Sequence, residues 1–132
     1  MPRRILFVAH GVITLAAAIV LAVAPGLIPA TVGIELPTHA ELLAYLLAGC
    51  ELGVAVVSLG AATLTDARAI RIIAAGFAAL HLFTGVLEVV ALAHGADPFL
   101  WGNVVVRVVA TVVFALIAVR PTPKLEPSPP PF

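Results

Sequence analysis

Five residues in this chain have the right types and spacing to do chemistry: Glu51, His81, Glu88, Asn103 and Arg107. All five lie within otherwise apolar stretches. A carboxyl group and an imidazole at one level can hold or pass a proton. A carboxylate and a guanidinium form an ion pair, and an amide offers both donors and an acceptor. In a helix, His81 and Glu88 share a face with Gly85 between them, leaving room for a neighbour. Asn103, Arg107 and Thr111 form a second polar stripe at helical spacing. Glu51 shares its stripe with Ala44, Ala48, Ala55 and Ser58, a thin face suited to close packing. His10 reads as a satisfied packing histidine, and Cys50 as a small apolar packer.

The elements that carry these residues follow from composition. Of 132 residues, 62% are hydrophobic and only 11% are charged. Soluble domains carry about 25% charged residues, so this chain is too poor in charge to cover a globule in water. Four apolar runs, 5–24, 40–62, 69–93 and 100–119, each reach the ~20 residues that a helix needs to cross a bilayer. Pro25, Gly26 and Pro29 break the first run. Thr38, with Glu41 three residues on, predicts a capping box for the second. Asp66 or Thr65 caps the third and Gly95 ends it. Pro121 ends the fourth, and Phe99 and Trp101 occupy an interfacial aromatic position. Gly49 and Gly53 form a GxxxG whose small face is expected to pack inside the bundle.

Short connections predict an all-α, up-down-up-down four-helix membrane bundle over residues 1–120. Residues 121–132 read as a proline-rich disordered cytoplasmic tail. Arg3 and Arg4 precede the first run, Arg68 and Arg71 divide the second from the third, and Arg120 and Lys124 follow the fourth. The other two connections hold no Lys or Arg. The positive-inside rule therefore places both termini and the middle loop in the cytoplasm, with the protein in the inner (plasma) membrane. Ala22-Val23-Ala24 resembles a signal-peptide cleavage site. However, the apolar run is longer than the ~7–15 residues of a signal core, and Pro25 would follow the cut, so an uncleaved helix is expected.

This topology converts position into depth. Glu51 and His81 both fall about 16 Å from their helix ends, where they are expected to meet near the midplane. Arg107 falls about 10 Å below the outer end of the fourth span, within reach of Glu88. A charge at the centre of a membrane helix costs about 2.5–3.5 kcal/mol, so such groups turn inward and find partners. The expected site is a polar pocket among the second, third and fourth spans, opening outward.

Several function classes lack their signatures. There is no nucleophile elbow, phosphate-binding loop, dinucleotide fingerprint or HExxH motif. The ExxH spacing of di-iron bundles is missing, and one cysteine supports neither a disulfide framework nor a multi-cysteine metal site. With a net formal charge of zero and no basic patch, nucleic acid is not an expected partner. No catalytic residue, metal or cofactor is assigned. The expected partners are the lipid bilayer and a second copy or a larger membrane complex.

The stretches APGLIPATVGIELPTHAELLAYLLAGCELGVAVVSLGA and DARAIRIIAAGFAALHLFTGVLEVVALAHGADPFLWGNVVVRVV carry a family resemblance. They combine a proline-broken exit from the first span, a Pro37-Thr38 start to the second, a glycine in its middle and Trp101 opening the fourth. In this the chain resembles the DoxX-like and related small bacterial four-helix membrane proteins. That resemblance implies the four-helix fold and covers about three quarters of the chain. Members of these families are associated with quinone-linked oxidation or assist membrane complexes, and no catalytic signature of either activity is matched. The leading expectation is a non-enzymatic accessory or small-ligand-binding module. The alternatives are an oligomeric proton-coupled transporter or channel with Glu51 as proton carrier, and a quinone-linked redox protein using His81 and Arg107.

Overall fold

The computed structural model describes residues 2–120, and all regular structure in that range is helical. Four long helices dominate: α1 (Pro2–Val23), α3 (Glu41–Ala61), α4 (Ala67–Ala93) and α5 (Leu100–Ala118). A single turn, α2 (Leu27–Ala30), follows α1, and a 3-10 turn at Thr38–Ala40 leads into α3. Each long helix is long and apolar enough to cross a membrane. The expected tail, 121–132, lies outside the described residues, and Lys124 with it.

The helix ends follow local chemistry. Asp66 caps α4, its two carboxylate oxygens accepting from the Arg68 and Ala69 amides at 2.9 and 3.3 Å. Gly95 ends α4 with a φ of 93°, a left-handed conformation that favours glycine. The capping box expected at Thr38 does not form. The chain makes a 3-10 turn there, Ala40 holds the cap position without a side-chain bond, and Glu41 accepts from the Tyr45 hydroxyl at 3.2 Å.

Small residues decide which helices lie close together. α1 packs along α3 and α4 along α5, whereas α3 and α4 approach closely at few points. Gly11 sits against Ala55 and Leu59, and Leu21 against Ala44 and Ala48, so α1 and α3 run in opposite directions. The α3 stripe Ala44, Ala48, Ala55, Ser58 is buried throughout. In the other pair, Gly85 lets α4 come up to the Arg107 side chain. Bulkier groups fill the space between the pairs. Phe7, Phe77 and Phe114 form an aromatic triangle with ring centroids 5.2–6.3 Å apart. Ala61, Ile70, Ala74 and Ile117 complete that core.

The outward surface is apolar on all four long helices: Ile13 is 67% exposed, Leu43 65%, Phe83 66% and Val106 62%. Gly49 and Gly53 also face outward. A Cβ built on either would meet nothing within 4 Å, so the GxxxG does not pack inside the bundle as the sequence suggests. The buried α3 stripe runs through Ala48 and Ala55 instead, and α1 is the helix that uses it.

Candidate functional site

One hydrogen-bonded chain links all four long helices. On α1, Phe7, His10, Gly11 and Thr14 follow the helical repeat and face the interior. Phe7, Gly11 and Thr14 are buried and His10 half-buried. The Ser58 hydroxyl on α3 donates to the Phe7 carbonyl at 3.0 Å and lies 2.9 Å from His10 Nδ1. His10 Nε2 lies 3.1 Å from His81 Nε2 on α4. His81 Nδ1 in turn is 3.2 Å from a terminal guanidinium nitrogen of Arg107 on α5.

The protons in this chain are fixed by its two ends. Arginine can only donate, so His81 Nδ1 accepts and its Nε2 carries the hydrogen. His10 Nε2 must then accept, and His10 Nδ1–H donates to Ser58. Ser58 has given its own proton to the Phe7 carbonyl, which leaves its oxygen free to accept. Both ends of the chain require the same tautomers, with both imidazoles neutral and every contact a donor facing an acceptor.

Aromatic rings wall the histidine pair. His10 lies 4.8 Å from Phe77 and 4.9 Å from Phe114, centroid to centroid. His81 stacks on Phe114 at 5.9 Å with the planes only 10° apart. The imidazoles meet edge to face at 5.2 Å. Apolar walls exclude water and strengthen each polar contact inside them.

Beyond Arg107 the chain becomes ionic. Arg107 Nε is 3.5 Å from Glu88 Oε1, and the Asn103 amide donates to that same oxygen at 2.6 Å. The Thr111 hydroxyl donates to the Arg107 carbonyl at 2.8 Å. Two buried atoms of the ion pair, Glu88 Oε2 and Arg107 Nε, have no hydrogen-bond partner among the described residues. Beside them, α4 and α5 form a groove of about 470 Å³. Val86, Val89, Val104 and Val108 supply much of its wall, with His81, Gly85 and Arg107 also lining it.

His81, Glu88, Asn103 and Arg107 therefore come together, and Glu88 and Arg107 pair as their depths suggest. Glu51 does not join them. It is half-buried on α3 and makes no hydrogen bond or ion pair among the described residues. Both ring nitrogens of His81 are occupied by His10 and Arg107, which leaves none for Glu51. The expected pocket among three spans is replaced by a groove between α4 and α5 with apolar walls, because the small face of α3 is spent on α1. Sequence reasoning missed the roles of His10 and Ser58. A lone histidine in an apolar run reads as packing, and because α4 has 27 residues against 22 in α1, counting from helix ends does not bring His10 level with His81. The usable signal was the stripe Phe7-His10-Gly11-Thr14, polar groups at helical spacing in an apolar run.

The described residues contain no cluster of three or more His, Cys, Asp or Glu side chains able to hold a metal ion. Comparison with protein-family models, with curated proteins and with solved structures finds no match to this chain.

Proposed function

We propose that this chain is a multi-pass protein of the inner membrane, an up-down-up-down bundle with both termini in the cytoplasm. We propose further that it works without catalysis, as a small-ligand-binding module or an accessory subunit, in keeping with its resemblance to DoxX-like proteins. The apolar outward faces support the first part, since lipid solvates them and water does not. The arginines at the starts of α1 and α4 and after α5 support the orientation.

The ligand site is the groove between α4 and α5. The observation that carries this reading is the incomplete ion pair behind its wall. Glu88 Oε2 needs a donor and Arg107 Nε needs an acceptor, and both are buried. Leaving such atoms unmade costs about 1–3 kcal/mol each, more for charged groups. Arg107 lines the groove and Glu88 lies behind that lining, so the ligand class that suits it has an apolar body and one polar group that accepts from the Arg107 guanidinium, such as an alcohol, a primary amide or a quinol hydroxyl.

Native mass spectrometry after incubation with a long-chain alcohol, a long-chain amide and a quinol tests this. Wild type should retain at least one of them, and Val108→Trp, which fills the groove, should lose it. Wild type that retains none, or a Val108→Trp variant that retains as much as wild type, rules the site out.

Glu51 favours a second reading, an oligomeric proton-coupled transporter, because it is a half-buried carboxyl group in an apolar helix without a partner among the described residues. The hydrogen-bonded chain itself is no proton wire, since Arg107 cannot accept a proton at one end. Uptake into liposomes driven by a pH gradient, equal in wild type and Glu51→Gln, would end this reading.

A further inference from the structure

A second groove, of about 270 Å³, lies between the start of α1 and the end of α5. Leu6, Val113, Leu116 and Ile117 line it, and Arg3 and Arg120 are its two charged residues. These arginines come from opposite ends of the described chain and line one groove because α1 begins where α5 finishes. The only ion pair among the described residues joins Arg107 to Glu88, so neither Arg3 nor Arg120 is neutralised by a described carboxylate.

We infer that this groove binds one anionic phospholipid, its acyl chain in the apolar trough and its phosphate between Arg3 and Arg120. Two guanidinium groups match a phosphate in charge and in geometry, because each presents a planar fork of donors. The apolar floor selects a phosphate that carries a hydrocarbon chain over a free ion. Basic pockets between membrane helices on the cytoplasmic side suit anionic head groups, and the orientation proposed above puts Arg3 and Arg120 on that side. Arg68 and Arg71, in the first two turns of α4, share that side but do not line the groove. They supply surface charge without an apolar seat. The inference rests on the membrane reading of the chain and is independent of the ligand proposed for the α4–α5 groove.

The test uses the full chain in nanodiscs of phosphatidylcholine with and without phosphatidylglycerol, followed by native mass spectrometry of the released protein. Wild type should retain one phosphatidylglycerol in preference to phosphatidylcholine. The Arg3→Gln, Arg120→Gln variant should lose that preference by roughly tenfold or more, as expected for two basic residues near an anionic surface. The Arg68→Gln, Arg71→Gln variant should keep it. Equal loss in both variants means diffuse surface charge and overturns the site. So does unchanged retention in Arg3→Gln, Arg120→Gln, or displacement of the lipid by inorganic phosphate at equal concentration. Extraction of the protein from membranes by alkaline carbonate is a different failure: it overturns the membrane reading itself.

Discussion

His10 and His81 point their Nε2 atoms at each other across the bundle, 3.1 Å apart, and one hydrogen serves both. His10 belongs to the α1–α3 pair and His81 to the α4–α5 pair. Their contact is therefore a polar bond between two helix pairs that otherwise meet through the rings of Phe7, Phe77 and Phe114. Its direction is set from outside: Arg107 forces His81 to donate, and Ser58 leaves His10 with an Nδ1 hydrogen. The contact behaves as a latch that holds one proton count.

Ser58→Ala should be costly for so small a change. Ser58 is fully buried, and its removal leaves His10 Nδ1–H with no acceptor. The expected loss is about 1–3 kcal/mol, the range for an unsatisfied buried group. In a double-mutant cycle with His10→Phe, the two losses should not add, because the second change removes the donor that the first stranded. Additive losses would mean that the Ser58–His10 bond carries no energy.

The two glycines Gly11 and Gly53 should respond in opposite ways to alanine. A Cβ on Gly11 would lie 2.7 and 2.9 Å from Leu59 and 3.2 Å from the Ala55 carbonyl, where α1 packs against α3. That overpacking should cost about 1–3 kcal/mol. A Cβ on Gly53 meets nothing within 4 Å, and alanine gains up to about 1 kcal/mol of helix propensity. Parallel unfolding titrations separate the two, and a Gly53→Ala loss as large as that of Gly11→Ala would contradict the packing described.

These contrasts show what the sequence could and could not reveal. The four long helices were legible because length and apolar composition are one-dimensional properties, and the expected spans agree with the helices to within a few residues. Glu88, Asn103 and Arg107 were legible because α4 and α5 are joined by a short turn, so depth from that turn transfers between them. His10 and His81 are 71 residues apart, on helices of unequal length with no shared turn. Their meeting depends on helix offsets that side-chain packing sets, and so does the outward turn of Gly49 and Gly53. Glu51 was placed with His81 because both lie at the same depth from their helix ends, yet α3 and α4 approach closely at few points.

Arg107 supplies the last test, because it serves two partners that each need a charge or a donor. Arg107→Leu leaves the Glu88 carboxylate held by Asn103 alone and strips His81 Nδ1 of its donor. Breaking a fully buried ion pair from one side costs about 3–5 kcal/mol, since a charge stays behind; with the Arg107 and Glu88 side chains 23% and 12% exposed, the loss here should be smaller. Replacing both members, Glu88→Leu with Arg107→Leu, removes that stranded charge and should recover most of the loss. The unrecovered part belongs to His81, which loses its donor in either variant and becomes free to flip tautomer. Arg107→Lys should recover less than the double variant, because one ammonium lacks the planar fork that spans His81 and Glu88 together. Unfolding free energies from denaturant titration in micelles rank the three. If the double variant is no more stable than Arg107→Leu alone, Glu88 is not held by charge compensation, and the incomplete ion pair loses its claim to a ligand.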